Sequence, residues 1–129
     1  MCMKNVEKIL EIEALTENIT KHFAENNLLR IKILYFISQY QNLSVGMIID
    51  KLGIKKSNFA LMTREHEKEG LIYSKQGEID KRCRMLFLTE KGKEELGKYI
   101  KNLENFFHED EKEVSSALNQ LIIYLNMKI

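Results

Sequence analysis

Proline is absent from the sequence of 129 residues, so no helix is interrupted by a residue that lacks a backbone N–H donor. Tryptophan is absent too, and cysteine occurs only as Cys2 and Cys83, which argues against a disulfide framework and fits a reducing compartment. No apolar run approaches the roughly 18 residues that a membrane-spanning helix requires. We therefore expect one cytoplasmic domain, residues 1–129, with no membrane partner.

The sequence also lacks a clear excess of positive or negative charge, because the formal net charge is only +1. Its distribution is uneven, however, and four cations with no intervening acid lie between Lys51 and Arg64. A basic stripe on a neutral protein is typical of localised phosphate contact. A solvated helix face is the alternative interpretation of the same pattern.

Apolar residues recur at helical spacing through most of the sequence and predict six helices. The second of these is apolar on nearly every side, so we expect it to be the central buried helix. The predicted helices span, in chain order, about Lys4–Glu25, Leu28–Tyr40, Val45–Leu52, Lys56–Glu69, the residues after Thr89 to about His108, and a last segment around Val114–Leu125.

Four residues mark the ends of these helices. Ser44 and Thr89 carry hydroxyls that can cap the helices that follow them. Gly53 permits a sharp turn between the two short helices, and Gly70 suits the position that closes the second of them. The first short helix should turn three apolar side chains toward the core, namely Met47, Ile48 and Leu52.

The segment after Gly70 has a different pattern. Leu71–Ser74 and Met85–Leu88 are short β-prone runs, and the polar tip between them holds Gly77 and Asp80. They predict a two-stranded hairpin. The fold class is therefore mainly α with a small β-hairpin wing (α+β), in the order of a winged helix-turn-helix.

A winged helix-turn-helix suits duplex DNA for geometric reasons. An α-helix fits the major groove of B-DNA, while a thin hairpin can reach the backbone or the adjacent minor groove. The sequence therefore predicts a protein that binds double-stranded DNA.

The wing resembles that of the MarR (multiple antibiotic resistance regulator) family. The run from Asp80 to Gly92 places an acid and arginines before a strand, followed by a Leu-Thr-x-x-Gly entry into a long helix. Leu43 to Gly53 and Glu69 to Ile72 also follow the family's rhythm. The resemblance implies a homodimer, in which helices at about 4–26 and 90–127 interlock and hold apart two winged-helix lobes of about 28–96.

In function, the resemblance implies a transcriptional regulator, most simply a repressor, on a near-palindromic operator. By the same resemblance, Arg82 enters the minor groove and Asp80 holds its guanidinium in place. Lys75, Lys81 and Arg84 are predicted phosphate contacts. The alternative for Asp80 and Arg82 is an ordinary surface ion pair.

The second short helix is the predicted recognition helix. It departs from the family at Lys55, where serine or threonine is usual, and at Ala60 and Leu61, where polar or basic residues are frequent. Leu61 can contact a thymine methyl group or simply pack. The predicted DNA-contacting residues of this helix are Lys55, Lys56, Ser57, Asn58, Ala60, Leu61 and Arg64.

The terminal helices have apolar stripes that one lobe would struggle to cover alone, which favours a symmetric dimer. An intramolecular core is the alternative. The predicted dimerisation residues are Val6, Ile9, Ile12, Phe107, Val114, Leu118, Leu121 and Leu125.

Relatives in this family often bind small effectors between the dimer helices and the DNA lobe. Tyr35, Phe36, Tyr40 and Phe107 are candidates for lining such a pocket, with core packing as the alternative. Cys83, between two arginines, is either a redox-sensitive thiol or a small residue in a strand.

The residues give little support to an enzyme. His22, His66 and His108 lie on different predicted helices, and neither a Ser/His/Asp arrangement nor a glycine-rich phosphate loop occurs. We expect no cofactor and no metal, although His108 with its acidic neighbours 109–111 leaves a metal-sensing regulator as a distant alternative. A winged-helix module that binds protein, with weak or non-specific DNA binding, is the nearer alternative because Ala60 and Leu61 are apolar.

Overall fold

A computed structural model of the chain describes residues 4–23, 28–41, 43–107 and 112–128, without the side chains of residues 23, 106 and 107. Within these ranges the chain forms helices and one antiparallel hairpin, which confirms the predicted mainly α fold with a β wing. The elements are α1 (Asn5–Phe23), α2 (Leu28–Gln39), α3 (Val45–Leu52), α4 (Lys56–Lys68), β1 (Ile72–Gln76), β2 (Arg84–Leu88), α5 (Glu90–Phe107) and α6 (Lys112–Asn126).

Helix α2 is the centre of the core, as its all-round apolar sequence predicts. Ile33, Leu34 and Ile37 are completely buried, and the helix packs against α3, α5 and β2. One apolar cluster joins these elements, and its buried members are Ile31, Ile33, Leu34, Ile37, Ile48, Phe59, Leu71, Ile72, Leu86, Leu88 and Leu96.

The predicted caps of the short helices are present. The Ser44 hydroxyl accepts a hydrogen bond from the backbone N–H of Met47 at 3.4 Å, which satisfies one donor at the start of α3. Gly53 ends α3 with φ of 66°, and Gly70 follows α4 with φ of 77°. Both are left-handed conformations that glycine adopts without strain, so they set the turn angle between α3 and α4 and the turn into the hairpin.

The expectation that Met47 faces the core is wrong, because Met47 is 54% exposed. In α3 the buried side chain is Ile48, and Leu52 lies one turn further along the same face. Met47 precedes Ile48 by one residue, which rotates its side chain about 100° away around a helix of 3.6 residues per turn.

Both strands extend nearer to the wing tip than the sequence predicts. Ile72 lies opposite Leu88 and Gln76 lies opposite Arg84 in an antiparallel register. The residues added to the strands, Lys75, Gln76 and Arg84, are polar and exposed, and so lack the apolar character that marks a strand in the sequence. Leu71 forms no strand pair, but its carbonyl accepts a hydrogen bond from the N–H of Thr89 at 3.0 Å.

The junction between the hairpin and α5 is tight. The Thr89 hydroxyl accepts from the N–H of Gly92 at 3.1 Å, as a cap should, and also donates to the carbonyl of Gly70. A Cβ atom on Gly92 would overlap the carbonyl oxygen of Leu71. Glycine is therefore required at this position so that α5 can begin directly against the hairpin.

An ion-pair network joins α2 to the end of α4 and to α5. The Arg30 guanidinium pairs with the Glu69 carboxylate and lies 3.4 Å from that of Glu95. The hydrogen bond from Arg30 is the main reason that the pKa of Glu69 lies below its ordinary value. The pairs are partly exposed, so we expect them to orient the three helices more than to stabilise them.

In the described part of the chain, no helix combines the length and apolar character needed to cross a membrane. The predicted end of the first helix, near Glu25, and that of the fifth, His108, lie outside the described residues.

Substitution of Gly92 by alanine should lower the free energy of unfolding by about 1–3 kcal/mol, because the new methyl group would overlap the backbone of Leu71. Urea denaturation followed by circular dichroism measures this. Gly97→Ala is the matched control, since a Cβ there meets nothing within 4 Å in the same helix, and alanine should stabilise by about 0.5–1 kcal/mol. Equal effects of the two substitutions would contradict the close approach.

Candidate nucleic-acid interface

Helix α4 has two distinct faces. Phe59 and His66 are buried, and Met62 and Thr63 are partly buried, so this face holds the helix on the core. The opposite face and the N-cap position are exposed and contain all the DNA-contacting residues that the sequence predicts for this helix. These exposed residues are Lys55, Lys56, Ser57, Asn58, Ala60, Leu61 and Arg64.

The first turn of α4 leaves its backbone donors available. Lys55 occupies the N-cap position, and its side chain makes no capping hydrogen bond, in contrast to Ser44 at the start of α3. The N–H groups of a helix start carry partial positive charge and favour anions. With Lys55 and Lys56 exposed beside them, this turn is suited to binding a phosphate group.

The middle of the exposed face is less polar. Leu61 is 53% exposed, and Ala60 beside it offers no hydrogen-bonding side chain. The Thr63 hydroxyl donates to the carbonyl of Phe59 at 2.9 Å, so it bonds within its own helix. The exposed cation nearest to Leu61 along α4 is Arg64, one helical turn further on.

The wing tip orders an arginine by means of an aspartate. The Asp80 carboxylate accepts the backbone N–H of Arg82 at 3.0 Å and its Nε–H at 3.2 Å. These two bonds, the backbone one foremost, hold the pKa of Asp80 below its ordinary value. The Arg82 side chain is 92% exposed, so its remaining donors face solvent.

The other cations of the wing differ in the contacts that they make within the chain. Lys81 is exposed at the tip. Arg84 donates to the Ser74 hydroxyl at 2.7 Å and lies 3.8 Å from the carboxylate of Glu67, which links the wing to α4. Lys75 lies 5.8 Å from the centres of both the Tyr73 and Phe87 rings, a cation–π arrangement that aligns its stem along the hairpin.

A groove of about 250 Å³ lies between α3, α4 and β2. Its charged lining residues are Lys56, Arg64, Glu67 and Arg84. From the sequence, Arg84 was predicted only as a phosphate contact of the wing, and Glu67 was not predicted to be part of the site. A contact between residues 17 positions apart on a helix and a strand leaves no local sequence signal.

Of the candidate effector residues, Phe36 contacts both neighbours, with ring centres 5.9 Å from Tyr35 and 5.4 Å from Tyr40. The Lys51 ammonium lies 4.8 Å from the centre of the Tyr40 ring and donates to Asn126 of α6 at 2.9 Å. Tyr40 is therefore part of a contact between the helix-turn-helix and the last helix. The Phe107 side chain is not among those that the structure describes.

The terminal helices expose large apolar areas in the single chain. On α1, Val6 is 65% exposed, and on α6, Leu118 is 50% exposed. The two helices border a shared groove of about 320 Å³, where Ile9, Ile12 and Leu121 contribute part of the lining. The apolar stripes thus meet partly within the chain, while Val114, Leu118 and Leu125 remain substantially exposed.

His66 is completely buried, and both its ring nitrogens contact backbone carbonyls, those of Met62 and Arg30. It joins α4 to α2 and belongs to the core. Within the described ranges, histidine, cysteine, aspartate and glutamate form no group of three or more that could hold a metal ion. His108 and residues 109–111, on which the metal-sensing alternative rests, lie outside those ranges, as does Cys2; Cys83 is partly exposed.

The MarR family model matches residues 27–83 of the chain. A curated relative, the HTH-type transcriptional regulator PetP of Rhodobacter capsulatus, is 38% identical over 61 residues, which cover 47% of this chain and 37% of the relative. The match therefore spans little more than a third of that relative's length.

Solved structures with the same fold cover nearly the whole chain. A MepR mutant from S. aureus has a TM-score of 0.71 at 17% identity, covering 96% of this chain and 99% of its own. The transcriptional repressor CouR, solved on a 23-mer DNA duplex, has a TM-score of 0.63 at 21% identity and 98% coverage of both chains. At these identities the likeness concerns the fold alone.

Protonation of Asp80 should release the Arg82 N–H. Because the pKa of Asp80 is lowered in the folded chain, the bond should persist above the ordinary aspartate value of about 3.9 and be lost only at lower pH. The amide chemical shift of Arg82 in an NMR titration measures this. Asp80→Ala should abolish the transition, while Glu78→Ala, a neighbouring acid, should leave it; a midpoint at or above 3.9 in the wild type contradicts the prediction.

Proposed function

We propose that the chain is a homodimeric, sequence-specific DNA-binding regulator of transcription of the MarR type that acts as a repressor, because the MarR family model matches residues 27–83 and the elements follow the order of a winged helix-turn-helix. The observation that carries this proposal is the division of α4 into a core face, anchored by Phe59 and His66, and an exposed opposite face. A helix held in this way can enter the major groove without any change in the core.

In the proposed complex each element contacts a different part of the duplex. The first turn of α4 contacts phosphates and base edges through Lys55, Lys56 and Asn58, and Leu61 contacts a thymine methyl group. Arg82 enters the minor groove, where a narrow A·T-rich segment concentrates negative potential. Asp80 fixes the Arg82 backbone and Nε, so fewer rotamers must be ordered when the complex forms.

We infer that the dimer forms through α1 and α6. Their exposed apolar side chains are too numerous for scattered surface residues, and a contiguous apolar patch usually marks an interface. A two-fold axis between these helices would present two copies of α4 to half-sites about one helical turn apart, and the operator should therefore be near-palindromic. Occupation of that operator would exclude the transcription machinery.

Effector control follows if a ligand prefers one spacing of the two lobes. Tyr40 lies against Lys51, which donates to Asn126 of α6, and the Phe36 ring joins Tyr40 to Tyr35. A ligand that binds there with different affinity in the two states would shift the population and change DNA affinity. The exposed Leu61 favours one other function, a winged helix that binds protein.

Selection of bound duplexes from a random pool at physiological salt should recover a near-palindromic motif. Arg82→Ala should weaken binding to that motif by about 1–3 kcal/mol, because it removes the minor-groove cation. Lys101→Ala, an exposed cation on α5, is the matched control and should bind as the wild type does.

Binding to the selected duplex should also fall steeply with salt concentration, because each neutralised phosphate releases counterions. Equilibrium titration by fluorescence anisotropy at several salt concentrations measures both the affinity of each variant and its dependence on salt. If the selection recovers no motif, and Arg82→Ala and Lys101→Ala change DNA affinity equally, the result would favour the protein-binding module.

Leu118→Glu should convert the dimer into monomers, because it places a charge within the proposed apolar interface. Sedimentation equilibrium measures the change, and circular dichroism checks that the helices remain. Asn119→Glu adds the same charge at the adjacent exposed position and should leave the dimer intact. A wild-type protein that sediments as a monomer at micromolar concentration would refute the interface.

A further inference from the structure

The wing tip carries an apolar side chain for which the proposed phosphate and groove contacts give no reason. Ile79 lies in the turn between β1 and β2 and is 104% exposed, so it is as accessible as in an extended peptide. Isoleucine is disfavoured in turns and gains nothing here from burial in its own chain. The gain must come from a partner if this residue has a role.

Hydrogen bonds close the turn that presents Ile79. The N–H of Gly77 donates to the carbonyl of Cys83 at 2.8 Å, and the N–H of Cys83 donates to the carbonyl of Asp80 at 3.0 Å. The Asp80 carboxylate adds the bond to the Arg82 N–H. These hydrogen bonds close the turn around Ile79 before any partner binds, which reduces the entropy cost of inserting its side chain.

The charges around Ile79 indicate what kind of partner it meets. Lys81 and Arg82 are exposed two and three residues further along the same turn, and Arg82 is the residue proposed to enter the minor groove. An apolar protein surface would gain nothing from these cations. A duplex offers phosphates for the cations and, between its base pairs, an apolar stack for the isoleucine.

We propose that Ile79 is a wedge that inserts between two base pairs from the minor groove, unstacks them and bends the operator. This inference rests on the proposed DNA-binding function. Apolar side chains inserted in this way kink a duplex by about 20–90°. Pyrimidine–purine steps unstack most easily, so Ile79 would impose a preference for such a step beneath each wing without any hydrogen bond to a base.

The experiment uses the full-length protein and a duplex recovered by the selection, with 2-aminopurine replacing adenine at each pyrimidine–purine step in turn. Unstacking raises the fluorescence of 2-aminopurine, and end-to-end energy transfer on a doubly labelled duplex reports the bend. Wild type should raise the fluorescence at one step in each half-site. Ile79→Ala should lose most of that increase and of the bend, and bind about tenfold more weakly to duplexes that contain the step.

Two further variants separate the wedge from charge and from side-chain shape. Ile79→Leu keeps a bulky apolar side chain and should retain the fluorescence increase. Lys81→Ala should reduce affinity and flatten the salt dependence, yet leave the increase at saturation, because it removes a phosphate contact and no wedge.

The outcomes distinguish the wedge from the function on which it rests. Wild-type protein that binds the selected duplex without unstacking any step, or an Ile79→Ala variant with undiminished unstacking, overturns the wedge and leaves the regulator intact. Failure of the wild type to bind duplexes of any sequence removes the regulator and the wedge with it.

Discussion

The burial of α2 is the interaction on which the other elements depend. Its side chains are apolar on nearly all sides. The burial of each aliphatic side chain contributes about 1.5–3 kcal/mol to the stability of the fold, so α2 favours packing against any element that offers an apolar face. Ile48, Phe59, Leu86 and Leu96 supply such faces from α3, α4, β2 and α5. The orientation of the candidate DNA-binding face is a consequence, because the burial of Phe59 turns the polar side of α4 outward.

A second constraint holds α4 to the rest of the lobe through polar groups. His66 contacts the carbonyl of Arg30, while the Arg30 guanidinium pairs with Glu69 just beyond the end of α4 and with Glu95 of α5. These contacts orient α4 relative to the helix that leads into the proposed dimer region. The Arg30 contacts with Glu69 and Glu95 therefore connect the end of α4 to α5.

Much of the fold was predictable because its determinants are local. The all-round apolar character of α2, the Ser44 and Thr89 caps and the Gly53 and Gly70 turns each follow from the conformational preferences of single residues. The exposed face of α4 follows from helical periodicity once Phe59 is assigned to the core. Met47 was misassigned because a helix of two turns tolerates a shift of one residue in its apolar stripe.

The sequence by itself determined the order of elements, the starts of the short helices and the glycine turns that follow them, and the cations of α4 and the wing. Those features depend on residues within a few positions of one another. Only the tertiary structure decided that Arg84 reaches Glu67, that Gly92 must admit the Leu71 carbonyl and that Ile79 stands free of its own core. Each of these depends on how distant segments approach in space, and side-chain packing over that range leaves no periodic trace in the sequence.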